Sequence, residues 1–154
     1  MDITCGIYFY DLNTDQILVG HVTNSNQNFS IPKGLFDKDK DEDYWAAAKR
    51  EFTEETGLNL DDLLIPLTKE LDIIQYKVTK KTLVPFLVLV DDMSLLDREI
   101  ICISKFIDKD GMKKPEIDYF QWVSLKDAAE LVHETQKANL PKINQIVTNI
   151  KKIK

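Results

Sequence analysis

Residues 3–10 are rich in β-branched and aromatic side chains, which predicts a strand. Residues 11–15 carry the Asn and Asp chemistry of a turn. Residues 16–22 then return as a second strand, so the chain opens on a hairpin. Residues 23–28 are polar and read as a loop, followed by a short extended piece at 29–31 that ends at Pro32 and Gly34. Further along, the runs 71–78 and 83–90 have the apolar content of strands, joined by the polar Thr79, Lys80, Lys81 and Thr82. Residues 100–106 and 119–123 are two more candidate strands, with a turn at 108–111 between them. Ser124 is a suitable N-cap for a helix running to about His133, and a last helix is expected over about 140–150, followed by a basic tail, Lys151-Lys152-Ile153-Lys154, that suits a helix C-terminus.

Residues 37–43 are a dense run of Asp, Lys and Glu, which alone would be a solvated loop. From about 43 to 56 the period changes to that of a helix. Ala46, Ala47 and Ala48 favour it, Trp45, Ala48 and Phe52 recur at i, i+3 and i+7, and Gly57 supplies the stop. Helices interspersed with many strands make the chain α/β or α+β with a mixed sheet, expected as a single domain over residues 1–154.

The helix carries the chemistry. Glu51, Glu54 and Glu55 fall at i, i+3 and i+4, on one arc, beside the arc of Trp45, Ala48 and Phe52. One side can enter a core while three carboxylates point together. Like charges so placed repel, and the simplest remedy is a hard divalent cation. An isolated Glu-x-x-Glu-Glu is most often just a solvated face; its neighbours, Arg50 directly before, Gly57 directly after, and Pro32-Lys33-Gly34 upstream, change that balance.

Charge and composition narrow the picture. The formal net charge of −6 gives no broad basic face, so nucleic acid is not an expected partner. A nucleotide remains possible, because metal ions can stand between carboxylates and phosphates. Cys5 and Cys102 lie in apolar runs without a CxxC pair, and with His21 and His133 far apart they lack zinc spacing. Buried, reduced thiols fit a cytoplasmic setting. The first five residues lack the basic-then-apolar pattern of a signal peptide, and no apolar run reaches the length of a membrane span.

The segment 34–58 resembles the box of the Nudix hydrolase family, G-x5-E-x7-R-E-U-x-E-E-x-G-U, with U bulky and apolar. Arg50, Glu51, Glu54, Glu55, Gly57 and Leu58 match in position, Phe52 fills the first U, and seven residues separate Glu42 from Arg50. Average residue usage would give that nine-residue core in fewer than about one in a thousand chains of this length. One departure stands out: seven residues rather than five separate Gly34 from Glu42, an insertion within the acidic loop. The segment 115–125, with Trp122 in a strand leading into a helix, also resembles the family.

The resemblance implies a Nudix-like α/β/α sandwich and a pyrophosphohydrolase using Mg²⁺, with Mn²⁺ as a substitute. Metal-activated water would attack a P–O–P linkage of a nucleoside diphosphate joined to another moiety, a dinucleoside polyphosphate or nucleoside triphosphate. Glu51, Glu54 and Glu55 are the implied metal ligands, with the Gly34 carbonyl as a further one, and Glu51 and Glu54 are also placed in the catalytic set. Arg50, at i, i+4 to Glu54, is an orienting partner; Glu42 is expected to anchor the loop to the helix, and Gly57 to end it. The general base lies outside the box or is a box glutamate; of Glu99 and Glu116, Glu116 is favoured. Lys33 is a candidate phosphate contact. Tyr76 is the favoured substrate contact among the strand aromatics, with Tyr119 and Trp122 behind it, although aromatics so placed are more often core. Trp45 is assigned to the core.

Three alternatives share the box. A diphosphoinositol polyphosphate or isoprenoid diphosphate hydrolase would need Lys77, Lys80, Lys81, Lys105, Lys113 and Lys114 gathered into a basic patch for the more highly charged substrates. RNA cap removal is opposed by the acidic charge. A nucleotide-sensing module without turnover is opposed by the intact glutamates. A monomer or homodimer is expected.

Overall fold

The computed structural model describes residues 2–77 and 79–153. Met1, Val78 and Lys154, which fall in the expected first residues, second hairpin and basic tail, lie outside the described residues. In chain order the elements are β1 (Asp2–Asp11), β2 (Gln16–Val22), β3 (Phe29–Ser30), β4 (Lys33–Leu35), α1 (Tyr44–Thr56), β5 (Leu67–Glu70), β6 (Ile74–Gln75), β7 (Lys81–Val90), β8 (Lys105–Ile107), β9 (Lys113–Pro115), β10 (Ile117–Val123), α2 (Leu125–Leu131), α3 (Glu134–Lys137) and α4 (Leu140–Ile153).

The expected hairpin forms, with Tyr10 opposite Ile17. Asp11 builds its turn, its carboxylate accepting from the Asn13 N–H and the Thr14 hydroxyl. On its other edge β1 runs parallel to β7 from Asp2–Lys81 to Asp11–Val90. The main sheet has the order β10-β2-β1-β7-β5, with β3, β4 and β6 as short additions to β2, β1 and β7. The β1–β7 pairing is parallel and the others in this sheet are antiparallel, so it is mixed. β8 and β9 form a separate ribbon.

Both faces of the central pair are covered, which is why β1 and β7 read as nearly continuous apolar runs. Cys5, Ile7 and Phe9, with Val84, Phe86 and Val88, pack with Ala47, Ala48 and Phe52 of α1. The alternate residues Tyr8 and Tyr10, with Leu83, Leu87 and Leu89, pack with Ala128 of α2 and with Leu140, Ile143 and Val147 of α4. This is the α/β/α sandwich. Trp45 joins the first layer, tilted against Phe86 at 5.1 Å between ring centroids.

Two expected strands change. Of the strand predicted over 71–78 only β6 forms among the described residues, and β5, which was not expected, precedes it across the gap at 71–73. Pro85 of β7 faces this gap and has no N–H to offer a ladder; its carbonyl takes the Leu71 N–H instead. The strand predicted over 100–106 is largely irregular and becomes a strand only at β8. Its N–H groups go to the open end of α1: Ile101 donates to the Thr56 carbonyl, and Ile103 and Ser104 both donate to that of Glu54. The last carbonyls of a helix lack intrahelical donors, and this segment supplies them. The short helix α3 had no counterpart among the expected elements.

Candidate active site

The box folds as strand, loop, helix and turn. The Asp43 carboxylate caps α1 by accepting from the Ala46 N–H at 2.8 Å. Gly57 closes it in the left-handed region at φ 75°, its N–H donating to the Thr53 carbonyl. An α-helix held at both ends fixes where its acidic face points. β4 crosses in front of that face, and the Lys33 N–H donates to Glu55 Oε1 at 3.2 Å. Gly34 permits the approach: a Cβ there would lie 2.0 Å from the Glu51 carboxyl carbon.

The three glutamates occupy different settings. Glu55 is 5% exposed. Burial, opposed by the Lys33 N–H and charge and reinforced by Glu116 and Glu51, pushes its carboxyl up to about 8. Glu51 is likewise raised by burial, against the pull of Arg50. Glu54 is the most open, paired with Arg50, and is not among the residues lining the cleft that holds Glu51 and Glu55. The Arg50 Nη1 group donates to both Glu51, at 2.9 Å, and Glu54, at 3.2 Å.

The loop anchor is Asp41, not Glu42. Asp41 accepts from Arg50 Nε at 2.8 Å and Nη2 at 2.9 Å, and also from the Asp37 N–H. The hydrogen bonds from Arg50 hold its carboxyl below the usual range. Glu42 is exposed. Counting back from Arg50 pointed to Glu42, but the inserted loop lets its neighbour turn inward to the fork.

Glu51, Glu55, Gly34 and Lys33 line one cleft of about 640 Å³, and Glu116 lies on its opposite wall. Glu116 is tied in from two sides. Its N–H donates to the Ser104 carbonyl, and its carbonyl accepts from the Thr23 N–H. Ser104 is the residue that reaches the end of α1, so the Glu116 wall and the carboxylate helix share a fixed link. Glu99 is exposed and is not among the cleft residues.

The aromatic candidates lie elsewhere. Tyr76 is stacked on His133 in a separate hollow, with ring centroids 6.1 Å apart, so it does not meet the cleft. It follows directly on β6. Trp122 packs on Phe9, and Tyr119 on His21. The cleft instead contains Phe106, which no local pattern marked, and Lys81, which the sequence offered only as part of a basic patch; they reach it through the β8–β9 ribbon and the start of β7. Thr23 also lines it, with its hydroxyl buried and without a hydrogen-bond partner among the described residues. Of the lysines proposed for a basic patch, Lys81 is in the cleft, Lys77 in the Tyr76 hollow, and Lys114 paired with Asp108.

Hard oxygen donors around an underpaired, buried carboxylate suit Mg²⁺ or Mn²⁺, and the missing Cβ of Gly34 leaves room beside Glu51. As they stand, no group of three or more His, Cys, Asp and Glu among the described residues is drawn together tightly enough to enclose an ion. Cys5 and Cys102 are free and buried. No helix among the described residues is long and apolar enough to cross a membrane.

Solved structures share this architecture across nearly the whole chain. An Ap4A hydrolase from C. elegans, in a binary complex, superposes with a TM-score of 0.70 at 19% identity, covering 97% of this chain and 99% of that one. The dihydroneopterin triphosphate pyrophosphohydrolase of E. coli gives 0.64 at 19% identity over 96% and 95%. The NUDIX domain of Shewanella oneidensis NrtR, complexed with ADP ribose, gives 0.60 at 13% over 97% and 86%. These likenesses concern the fold. No curated protein matches the sequence significantly. The family model of the NUDIX domain, in contrast, matches residues 3–143. The chain therefore belongs to the NUDIX domain family, and by that membership it is a hydrolase of phosphoric anhydride bonds.

Proposed function

We propose that the protein is a divalent-metal-dependent pyrophosphohydrolase acting on a nucleoside diphosphate linked to another moiety, with dinucleoside polyphosphates and nucleoside triphosphates favoured. The observation that carries this is the convergence of Glu51, Glu55 and Glu116 on one cleft that also holds Lys33 and Lys81. Glu51 and Glu55, with Glu54 and the Gly34 carbonyl, are the groups that would hold the metal. Bound there, a divalent cation supplies positive charge to phosphate oxygens and lowers the pKa of water.

The chain's own groups do the rest. Lys33 pairs with a phosphate as a point charge, and Lys81 offers a second cation in the same cleft. Arg50 keeps Glu51 and Glu54 in register with the loop through Asp41. Glu116 takes the proton of the attacking water and is the general base of this scheme. Phe106 presents an apolar ring to whatever the diphosphate carries. Lys77 in a separate hollow and Lys114 paired with Asp108 weigh against a densely charged inositol phosphate. The Ap4A hydrolase and dihydroneopterin triphosphate pyrophosphohydrolase with the same fold lend support to a substrate of the polyphosphate-ester kind.

The test is product release from a panel of nucleoside triphosphates, dinucleoside polyphosphates, nucleotide sugars and diphosphoinositol phosphates, with Mg²⁺, Mn²⁺ or EDTA. Metal-dependent cleavage is expected, falling by about 10²-fold or more in Glu54→Gln and Glu55→Gln with the fold intact. Wild-type rates in those variants would sink the assignment. No turnover with any member, together with thermal stabilisation by one, would make the protein a sensor.

A further inference from the structure

β10 enters the sheet through an irregularity. Ile117 pairs with Val22 and Tyr119 with His21, so two steps along β10 match one along β2, and Asp118 is the extra residue. Such a bulge changes the side to which the preceding residues point and bends the strand. Glu116, two residues before Asp118, lines the cleft, its Oε2 accepting from the Ser104 hydroxyl at 3.4 Å.

Asp118 does not hang free. Its carboxylate meets His21 Nδ1 at 2.7 Å, and His21 Nε2 meets the Asn26 carbonyl oxygen at 3.2 Å. Both partners are acceptors only. A neutral imidazole has one N–H and one lone pair, so it satisfies one contact and sets a lone pair against the other. The imidazolium, with two N–H groups, satisfies both. His21 is 8% exposed, stacked on Tyr119 with ring centroids 4.7 Å apart and met edge-on by Phe29. The turn 23–28 contains no charged side chain. Lys114 reaches that turn at Asn24 Oδ1. Asp118 is thus the charge that directly faces the ring, with Tyr119 the titratable group stacked on it.

We infer that His21, as an imidazolium held between Asp118 and the Asn26 carbonyl, is the positioning residue that locks the β10 bulge and so aims Glu116 at Glu51 and Glu55. The clamp joins the three pieces that meet at this wall. Asn26 belongs to the turn that presents Thr23, the Thr23 N–H holds the Glu116 carbonyl, and Asp118 fixes the strand just beyond Glu116. Burial alone pulls the ring pKa down, but the Asp118 and Asn26 hydrogen bonds and the Asp118 charge outweigh it and leave it raised. The clamp is therefore closed at low and neutral pH and opens as pH rises through the raised value. The inference rests on the proposed role of Glu116 only where it predicts turnover.

The first measurement is independent of activity. Ring ¹⁵N spectra of the intact protein, assigned with His133→Gln, are expected to show His21 doubly protonated, with a midpoint above the ordinary value of about 6.5. Amide exchange at Thr23 should quicken by about tenfold beyond the intrinsic pH effect as that midpoint is passed. A ring that titrates at or below the ordinary value, or Thr23 exchange indifferent to it, overturns the clamp. In turnover, His21→Gln is expected to lower kcat by about tenfold with KM nearly unchanged, and to abolish the decline of activity at the His21 midpoint. Where Glu116→Gln lowers turnover, wild-type kcat and pH profile in His21→Gln also overturn it. A clamp seen in the spectra with no effect of Glu116→Gln on turnover would refute the base assignment and leave the clamp standing.

Discussion

Gly34 shows how much a single missing side chain can decide. The nearest atoms to a Cβ there belong to the carboxylate of Glu51, 2.0 Å away, which is the far end of a flexible side chain rather than backbone. Gly34→Ala should therefore leave the fold and melting temperature nearly intact while displacing that carboxylate. Mn²⁺ titration calorimetry is expected to show affinity reduced by about 10- to 100-fold. Unchanged affinity would mean that Glu51 does not hold the metal. Spacing alone brought Glu51 and Glu55 together in advance, because a helix places i and i+4 together whatever surrounds it, whereas Gly34 came only with the family resemblance. Phe106 and Thr23 were not legible, since they meet the cleft only through tertiary folding.

At the scale of elements, the loop between β4 and α1 is gauged by the Arg50 fork and not by a count of residues. An insertion in a surface loop costs little, and here it moves the inward-facing acid from Glu42 to Asp41. Asp41→Asn should loosen the β4–α1 loop and lower kcat by about tenfold, because Arg50 then loses the charge that holds its guanidinium in place. Glu42→Gln should match the wild type. The reverse pattern in steady-state kinetics would restore the count from Arg50. The same lesson applies to the segment before β8. Its apolar composition, Ile100, Ile101 and Ile103, suggested a strand, but its N–H groups were claimed by carbonyls at the end of α1. A local pattern cannot register a partner some fifty residues away. The helix itself, with its cap at Asp43 and stop at Gly57, and the β1–β2 hairpin depend on near neighbours and followed their sequence signals.

For the whole molecule, the buried site opposes stability. Glu55 titrates at about 8, chiefly because it is buried, so the metal-free native state retains a proton that the unfolded chain releases above about 4.5. Native protein binds more protons in that window, and stability falls as pH rises through it. Glu51 acts in the same direction. His21 also contributes a loss, since its raised pKa favours the native state below the ordinary histidine value and the benefit fades as pH passes the native one. Asp41, whose pKa is lowered, has the opposite slope, confined to the acid side of the usual carboxylate range. Melting in EDTA is expected to show a falling midpoint from about pH 5 to about pH 8, flattened by Glu55→Gln. Mg²⁺ or Mn²⁺ should raise the midpoint more at about pH 8 than at about pH 5, because the ion competes with the proton. A flat wild-type profile in EDTA would show that Glu55 is solvated.

The parallel seam between β1 and β7 has a consequence in time. Asp2 meets Lys81 and Asp11 meets Val90, so every pair along the seam is separated by 79 positions. As the chain is made, β1 must wait for β7 with Ile7, Phe9 and their neighbours apolar on both faces and one edge unfilled. Closure of so long a loop slows the search for the native state, and an uncovered strand of this kind invites association with other chains. The seam that gives the finished molecule its most deeply buried strands is thus also the interval of greatest exposure in its assembly.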